Sequence, residues 1–304
     1  MKMERILITG SEGNIGSVLV PYLASESRSI LRVDVVHKYD RNYIMSDVTN
    51  LGDLFKLYDE FSPHIVIHMA AKVSRISSEK SPCLTVDTNI SGLHNIIQLC
   101  LRNKAKLIYF STSEVYGNVH NPLSETADCK PNNIYGLTKY LGENIVEYYV
   151  INYRLKAVTL RPFMIYNENQ IHGEDKAFIN RLVYSLMNKE KIRVHKDSNR
   201  SWLNISDAVK LIEKSFYVDE YSIINIGHEN IINTQDLARK ICGKLGLVYD
   251  EYIIEEEQPY KMTLNKEPLL LNQKLLLQYD PIIDIDSGID MIIKKYENTY
   301  YNRG

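Results

Sequence analysis

Tyr135 and Lys139 stand four residues apart in Ile134-Tyr135-Gly136-Leu137-Thr138-Lys139. On a helix that spacing puts both side chains on one face. A phenol beside an ammonium can act as a base near neutral pH if its pKa is lowered. Upstream lies Ser111-Thr112-Ser113-Glu114-Val115-Tyr116-Gly117, which adds hydroxyls and a carboxylate. Tyr135 and Lys139 are the expected proton-transfer pair, with Thr112, Ser113 and Glu114 as further catalytic candidates. A Tyr-x-x-x-Lys spacing also occurs on many helix surfaces without function. Here it opens a helix after Pro131-Asn132-Asn133 and follows a Ser/Thr-rich strand end.

These side chains need elements to hold them. Short apolar runs alternate with helical stretches through the first half. Strands are predicted over Arg5–Thr9, Ile30–Asp34, Ile65–His68, Lys106–Ser111 and Ala157–Arg161. Helices are predicted over Ile15–Ser25, Leu51–Glu60, Val86–Leu101 and Tyr135–Asn152, the first despite Pro21. Such alternation predicts an α/β fold with a doubly wound parallel sheet, in which strand ends and helix starts meet at one ligand-binding edge.

After Pro162 the texture changes. Helices are expected over Lys176–Asn188, Asp207–Phe216, Thr234–Leu245 and Ile289–Tyr300. A short strand is read at Arg193–His195, a turn at Asp197–Ser201 and extended chain at Leu203–Ser206. The division expected is a Rossmann-like domain over residues 1–165 and a smaller α/β substrate lobe over 166–304, with segments returning to the main sheet.

Gly10-Ser11-Glu12-Gly13-Asn14-Ile15-Gly16 lies between the first strand and the first helix. Its glycines allow a tight turn and close approach of backbone to a pyrophosphate at the helix N-terminus. Asp34 ends the second strand, eighteen positions after Gly16. A carboxylate there accepts from an adenosine ribose and repels a 2′-phosphate, which favours NAD over NADP. Arg32 and Lys38 are the nearest cations in sequence.

With 304 residues the chain has ample material for a core, and its 44% hydrophobic content is ordinary for a globular protein. A net charge of −2 gives no basic field to attract nucleic acid. No apolar run approaches the roughly 18 residues of a membrane span. The first residues lack the apolar stretch of a signal peptide, and Cys83, Cys100, Cys129 and Cys242 are scattered. A reduced cytoplasmic protein without a metal site is expected. His172, His195 and His228 are read as surface or loop histidines. Tyr148, Tyr149 and Tyr153 read as packing, and Glu255-Glu256-Glu257 as a solvated acidic loop.

Taken together, these segments resemble the extended short-chain dehydrogenase/reductases of the nucleotide-sugar epimerase and dehydratase group. The resemblance adds Asp47-Val48, His68-Met69-Ala70-Ala71, Asn89-Ile90-Ser91-Gly92-Leu93-His94-Asn95, Leu160-Arg161-Pro162-Phe163 and Arg200-Ser201-Trp202-Leu203-Asn204-Ile205-Ser206-Asp207. It implies a cofactor site of Gly10, Gly13, Asn14, Ile15, Gly16, Asp34, Asp47, Val48, Met69, Ala70, Ala71, Asn89, Ser111, Tyr135, Lys139 and Pro162. It implies that Tyr135 takes the proton of a sugar 4-hydroxyl and that Lys139 binds the nicotinamide ribose and depresses the Tyr135 pKa. Thr112 would bond the same sugar oxygen, and Ser74, Thr112 and Arg200 would touch substrate, Arg200 at the diphosphate. A homodimer through a four-helix bundle is also implied.

The Ser-Thr-Ser-Glu string is similar to that of 4,6-dehydratases and of UDP-glucuronate decarboxylases. A Glu beside a 4-ketone can take the proton from carbon 5 and lead to loss of the 6-hydroxyl. A loop-anchoring Glu114 remains the alternative. Dehydration is expected first, then 4-epimerisation, then decarboxylation. A sterol-type alcohol dehydrogenase and a non-catalytic dinucleotide sensor are the remaining alternatives. Met164, Asn167 and Lys266 stand where the resembled family carries Asn, Gly and Arg. Asn167 is expected to keep a left-handed turn. Lys266 is expected to neutralise phosphate without gripping it bidentately.

Overall fold

The structure is a computed structural model and describes residues 3–73, 75–119, 122–170, 177–257 and 265–301. In chain order, β1 (Glu4–Thr9), α1 (Gly16–Leu23), β2 (Arg28–Asp34), β3 (Tyr43–Met45), α2 (Leu51–Phe61) and β4 (Ile65–His68) form the first half of the sheet layer. Helices α3 (Arg75–Lys80), α4 (Pro82–Val86) and α5 (Gly92–Asn103) lead to β5 (Lys106–Phe110), α6 (Ile134–Tyr153) and β6 (Ala157–Pro162). The remainder comprises β7 (Met164–Tyr166), α7 (Phe178–Met187), β8 (Ile192–His195), β9 (Asn199–Asn204), α8 (Ile205–Lys214) and β10 (Ile223–Ile226). It ends with β11 (Ile231–Asn233), α9 (Thr234–Leu245), α10 (Tyr249–Tyr252), β12 (Ile253–Glu256) and α11 (Ile285–Tyr296).

Seven strands form one parallel sheet in the order β10-β6-β5-β4-β1-β2-β3. The central strands are apolar on both faces because both faces are covered. Ile6, Ile8, Ile67, Ile108 and Leu160 pack on one side with α1 and α8; Leu7, Val66, Leu107 and Tyr109 pack on the other with α5 and α6. A third core around Tyr166, Leu182, Trp202, Leu237 and Ile289 unites the later helices with two small sheets, β11-β9-β7 and β12-β8.

Several expectations are corrected. The long helix read over Val86–Leu101 is interrupted by a π turn at Asp87–Ser91 before α5 begins. That turn carries the buried Asn89, whose amide bonds the Lys72 main chain and Thr138. The turn read at Asp197–Ser201 gives way to strand at Asn199, because Arg200 and Ser201 pair with β11 and are buried. The extended reading of Leu203–Ser206 also fails at its end. Asn204 accepts from the Ser206 N–H at 2.8 Å and starts α8 at Ile205. Likewise the last helix begins at Ile285, capped by Asp284, and turns to π geometry over Glu297–Tyr301. Glu255 and Glu256 are strand residues, and His228 is buried under the Ser201 loop. His172 lies outside the described residues.

Candidate active site

The glycine loop leaves β1 and enters α1 with its glycines sterically required. Gly10 has φ +71, and a Cβ there would lie 2.7 Å from the Ala70 nitrogen. A Cβ at Gly16 would lie 2.5 Å from the Gly10 carbonyl. Gly13, Asn14 and Ile15 complete the turn, and no side chain caps the α1 N-terminus. The Ser17, Val18 and Leu19 N–H groups bond carbonyls of the turn, so the edge open to an anion is the turn ahead of them, in a cradle too tight for side chains.

Asp34 stands beside this cradle. Its carboxylate accepts from the Glu12 N–H at 2.9 Å and the Val35 N–H at 2.8 Å. The two cations near it are already paired, Arg32 with Asp40 at 2.6 Å and Lys38 with Glu12 at 2.9 Å. Both pairings suit a ribose with free hydroxyls better than a 2′-phosphate. Val48 is buried against Gly92, and Asp47 accepts from the Thr49 N–H at 2.9 Å. Met69, Ala70 and Ala71 follow β4, where Ala70 N–H donates to Thr9 Oγ1 at 3.3 Å. Asn89 braces this loop against α6 through both ends of its amide, so its role is to hold the cradle's wall.

The catalytic cluster forms where β5 ends and α6 begins. Thr112 caps the 3₁₀ turn Ser113–Tyr116, its hydroxyl accepting from the Glu114 N–H at 3.2 Å. A Cβ on Gly136 would lie 2.7 Å from the Glu114 carbonyl, so the glycine lets α6 approach that turn. Asn133, the α6 N-cap, accepts from the Gly136 N–H at 2.8 Å and donates to Glu114 Oε2 at 3.0 Å. The result is Thr112 bonded to the Tyr135 hydroxyl, with Glu114 close enough for its charge to act on the phenol.

The protonation states differ from the sequence expectation. Burial pushes Tyr135 up to about 12, against the lowering effect of Thr112. Lys139 contributes nothing to lowering it in the chain alone. Its ammonium donates to the Phe110 carbonyl at 2.6 Å and sits 5.0 Å from the Tyr109 ring centroid. Burial pushes Lys139 down to about 7. The Ser111 hydroxyl donates to Glu143, which ties the end of β5 to α6. Pro162 ends β6 beside Ile226. Ser74 lies outside the described residues.

Lys266 is where the structure departs most from the sequence reading. Its ammonium is buried on Glu114 Oε1, not set aside for phosphate. The segment around it is fixed by main-chain bonds, Lys266 N–H to Asn199 O at 3.0 Å and Leu123 N–H to Glu267 O at 2.8 Å. Arg200 is buried next to it and bonds the Asn199 carbonyl at 2.9 Å. Arg75, which drew no notice in the sequence, acts electrostatically on Glu114, Arg200 and Lys266. These cations outweigh burial at Glu114 and hold its carboxyl down at about 2. At Lys266 burial and the two arginines outweigh Glu114, and its ammonium is lowered to about 8. Burial likewise lowers Arg200 to about 10. Three cations thus surround one carboxylate, an excess of positive charge suited to a polyanion.

Asn167 does not adopt the left-handed turn expected of it. It is buried, and its amide donates to Asn14 Oδ1 at 3.0 Å, tying the later lobe to the glycine loop. Asn133, too, escaped the sequence reading, although an Asn just before a helix is a capping signal. Met164 packs beside the third core.

A tight glycine cradle, a carboxylate beside it at the end of β2 and a Thr-Tyr-Lys cluster at one sheet edge define a nucleotide-dependent enzyme of the short-chain dehydrogenase type. The NAD dependent epimerase/dehydratase family matches residues 6–227, and the chain belongs to that family. NAD is its cofactor, and the cradle fits it. The chain is 27% identical over 276 residues to a dTDP-D-glucose 4,6-dehydratase of Dictyostelium discoideum, covering 79% of this chain and 62% of that protein. It is 27% identical over 314 residues to a UDP-N-acetyl-alpha-D-glucosaminuronate decarboxylase of Bacillus cytotoxicus, covering 96% of this chain and 97% of the other. The crystal structure of a Thermotoga maritima UDP-glucose 4-epimerase with UDP-glucose superposes with a TM-score of 0.90 at 21% identity, over 97% of this chain and 99% of that one.

Proposed function

We propose that the protein acts on a nucleotide-activated hexose through a 4-keto intermediate and then removes water across carbons 5 and 6. The observation that carries this reading is an ionised Glu114, fixed by Asn133 and Lys266 and adjoining the Thr112–Tyr135 pair. Tyr135 takes the proton of the sugar 4-hydroxyl, and Thr112 holds the same oxygen. NAD, when bound, supplies the hydride acceptor and a cationic ring that favours the Tyr135 phenolate. A ketone at carbon 4 acidifies carbon 5, and Glu114 takes that proton. Arg75 and Arg200 supply the positive field for the diphosphate.

A 4-epimerisation is the second reading, favoured by one specific observation. A carboxylate held at about 2 is a weak base, and a clamped Glu114 can serve simply to orient the sugar. The two readings separate when the protein is incubated with NAD and dTDP-glucose, UDP-glucose, GDP-mannose or UDP-glucuronate and products are followed by NMR. A 6-deoxy-4-keto sugar is expected; an epimer would replace the first reading by the second, and loss of carbon dioxide would overturn both. In Glu114→Gln the elimination is expected to slow by about 10²–10⁴-fold while the initial oxidation persists. An unchanged rate of 6-deoxy product would remove Glu114 from the chemistry.

We further propose that the enzyme works as a homodimer through α5 and α6. Leu137, Leu141, Tyr148 and Ile151 are 40%, 45%, 54% and 71% exposed and form one apolar stripe along α6. Light scattering is expected to give twice the chain mass, and Leu141→Arg to give the monomer. A monomeric wild-type protein would sink this assignment.

A further inference from the structure

We infer that Lys266 is the acid that protonates the departing 6-hydroxyl, an assignment that rests on the dehydration reading above. Expulsion of that hydroxyl requires a proton for the leaving oxygen. Among the described residues at the site, Ser113 beside Glu114 is a neutral hydroxyl, a far weaker acid than an ammonium, and the other candidates are poorly placed or have none to give. Glu114 is ionised, and the Ser111 hydroxyl is tied to Glu143. Thr112 serves the Tyr135 hydroxyl and the Glu114 N–H. The Arg200 guanidinium does not give up a proton near neutral pH. Lys139 faces the Phe110 carbonyl, on the cofactor side of the cluster.

Lys266 has both the position and the proton. Its ammonium touches Oε1 of the carboxylate that would serve carbon 5, so a base and an acid lie side by side. The atoms they must serve, the proton on carbon 5 and the oxygen on carbon 6, are borne by adjacent carbons. The C5–H bond breaks toward Glu114, its electron pair forms the C5=C6 bond, and the C6–O bond breaks as its oxygen takes a proton from Lys266. Water leaves, and the site holds a protonated Glu114 and a neutral Lys266. Glu114 retains the proton for return to carbon 5, and the hydride taken from carbon 4 by NAD would return to carbon 6. The proton that Lys266 lost is matched by the one Tyr135 gained from the 4-hydroxyl, and both groups exchange with solvent. Burial and the neighbouring arginines bring Lys266 down to about 8, so it is charged at neutral pH yet able to release its proton.

The test uses the full-length protein with NAD and dTDP-glucose or UDP-glucose, whichever gives the 6-deoxy product. Oxidation is read by absorbance of the reduced nicotinamide, and elimination by rapid quench. Lys266→Arg keeps the cation but not the releasable proton. It is expected to oxidise within about tenfold of wild type and to eliminate about 10²–10⁴-fold more slowly. The acid form of Lys266 is present below about 8, so the wild-type elimination rate should fall as pH rises through that value. The variant should lack this limb. A 6-deoxy-6-fluoro substrate separates chemistry from packing, because fluoride leaves without a proton. Lys266→Arg, which keeps a cation beside Glu114, should eliminate fluoride far faster than it eliminates the hydroxyl, whereas Glu114→Gln should eliminate neither. Wild-type elimination of the hydroxyl by Lys266→Arg, or failure of the fluoride rescue, overturns the assignment while leaving dehydration intact. Absence of any 6-deoxy product with wild type removes the dehydration reading and this assignment together.

Discussion

Tyr135→Phe is expected to lower kcat by about 10²–10⁴-fold while leaving NAD affinity within a factor of about three. The phenol is the group bonded to Thr112 at the sheet edge, and deleting its oxygen removes the acceptor for the hydroxyl proton. The cradle of Gly10 and Gly16 and the Asp34 carboxylate, where NAD is expected to be held, are untouched by this substitution. Calorimetry for NAD and steady-state turnover check the two halves. Turnover within tenfold of wild type would show that another group takes the proton. The size of the effect follows from burial. Tyr135 is pushed up to about 12 in the chain alone, where burial outweighs the lowering effect of Thr112.

Arg161→Ala is expected to cost about 3–5 kcal/mol of folding stability, the usual penalty for leaving a buried charge without its partner. Arg161 and Glu143 are each 3% exposed at the side chain and meet at 2.7 Å. The guanidinium also donates to the Tyr116 hydroxyl at 2.9 Å, and that hydroxyl donates to Asn225 Oδ1 at 2.7 Å. Removing Arg161 leaves a buried carboxylate with Ser111 as its remaining hydrogen-bonding side chain among the described residues. The double substitution Arg161→Met with Glu143→Met removes both charges and should recover much of the loss. Urea unfolding of the single and double variants is the measurement. A single variant within 1 kcal/mol of wild type, as an order of magnitude, would show that the pair is already solvated.

The parts of the site legible in the sequence are those with local spacing. Gly10, Gly13 and Gly16 sit within one loop, and Tyr135 and Lys139 within one helical turn, so pattern alone brings each set together. The first-half strands were legible because they are continuous apolar runs buried on both faces. Lys266 and Glu114 are separated by 152 residues, and no periodicity connects them. Their meeting depends on how the 265–270 segment threads between Leu123 and Asn199, a tertiary fact. Arg75 was invisible for the same reason. Asn199-Arg200-Ser201 misled because polar residues read as a turn, yet all three pair with β11, Arg200 and Ser201 are buried, and Ser201 donates to the His228 carbonyl at 2.7 Å. The pairing of Tyr135 with Lys139 was legible, but the desolvation that raises the one and lowers the other in the chain alone is imposed by the fold and carried by no spacing.

Strand β10 bears on how the protein is made. It supplies the outer partner of β6, yet it is encoded after three of the five small-sheet strands, β7, β8 and β9. Until residue 226 has left the ribosome, the backbone edge of Ala157–Pro162 has no neighbour on that side, and Tyr116 lacks Asn225. An unpaired edge of that kind is a template for association with other chains. Nascent chains stalled between residues 162 and 222 should therefore be the species most in need of chaperone cover, although their nucleotide cradle is already complete in sequence.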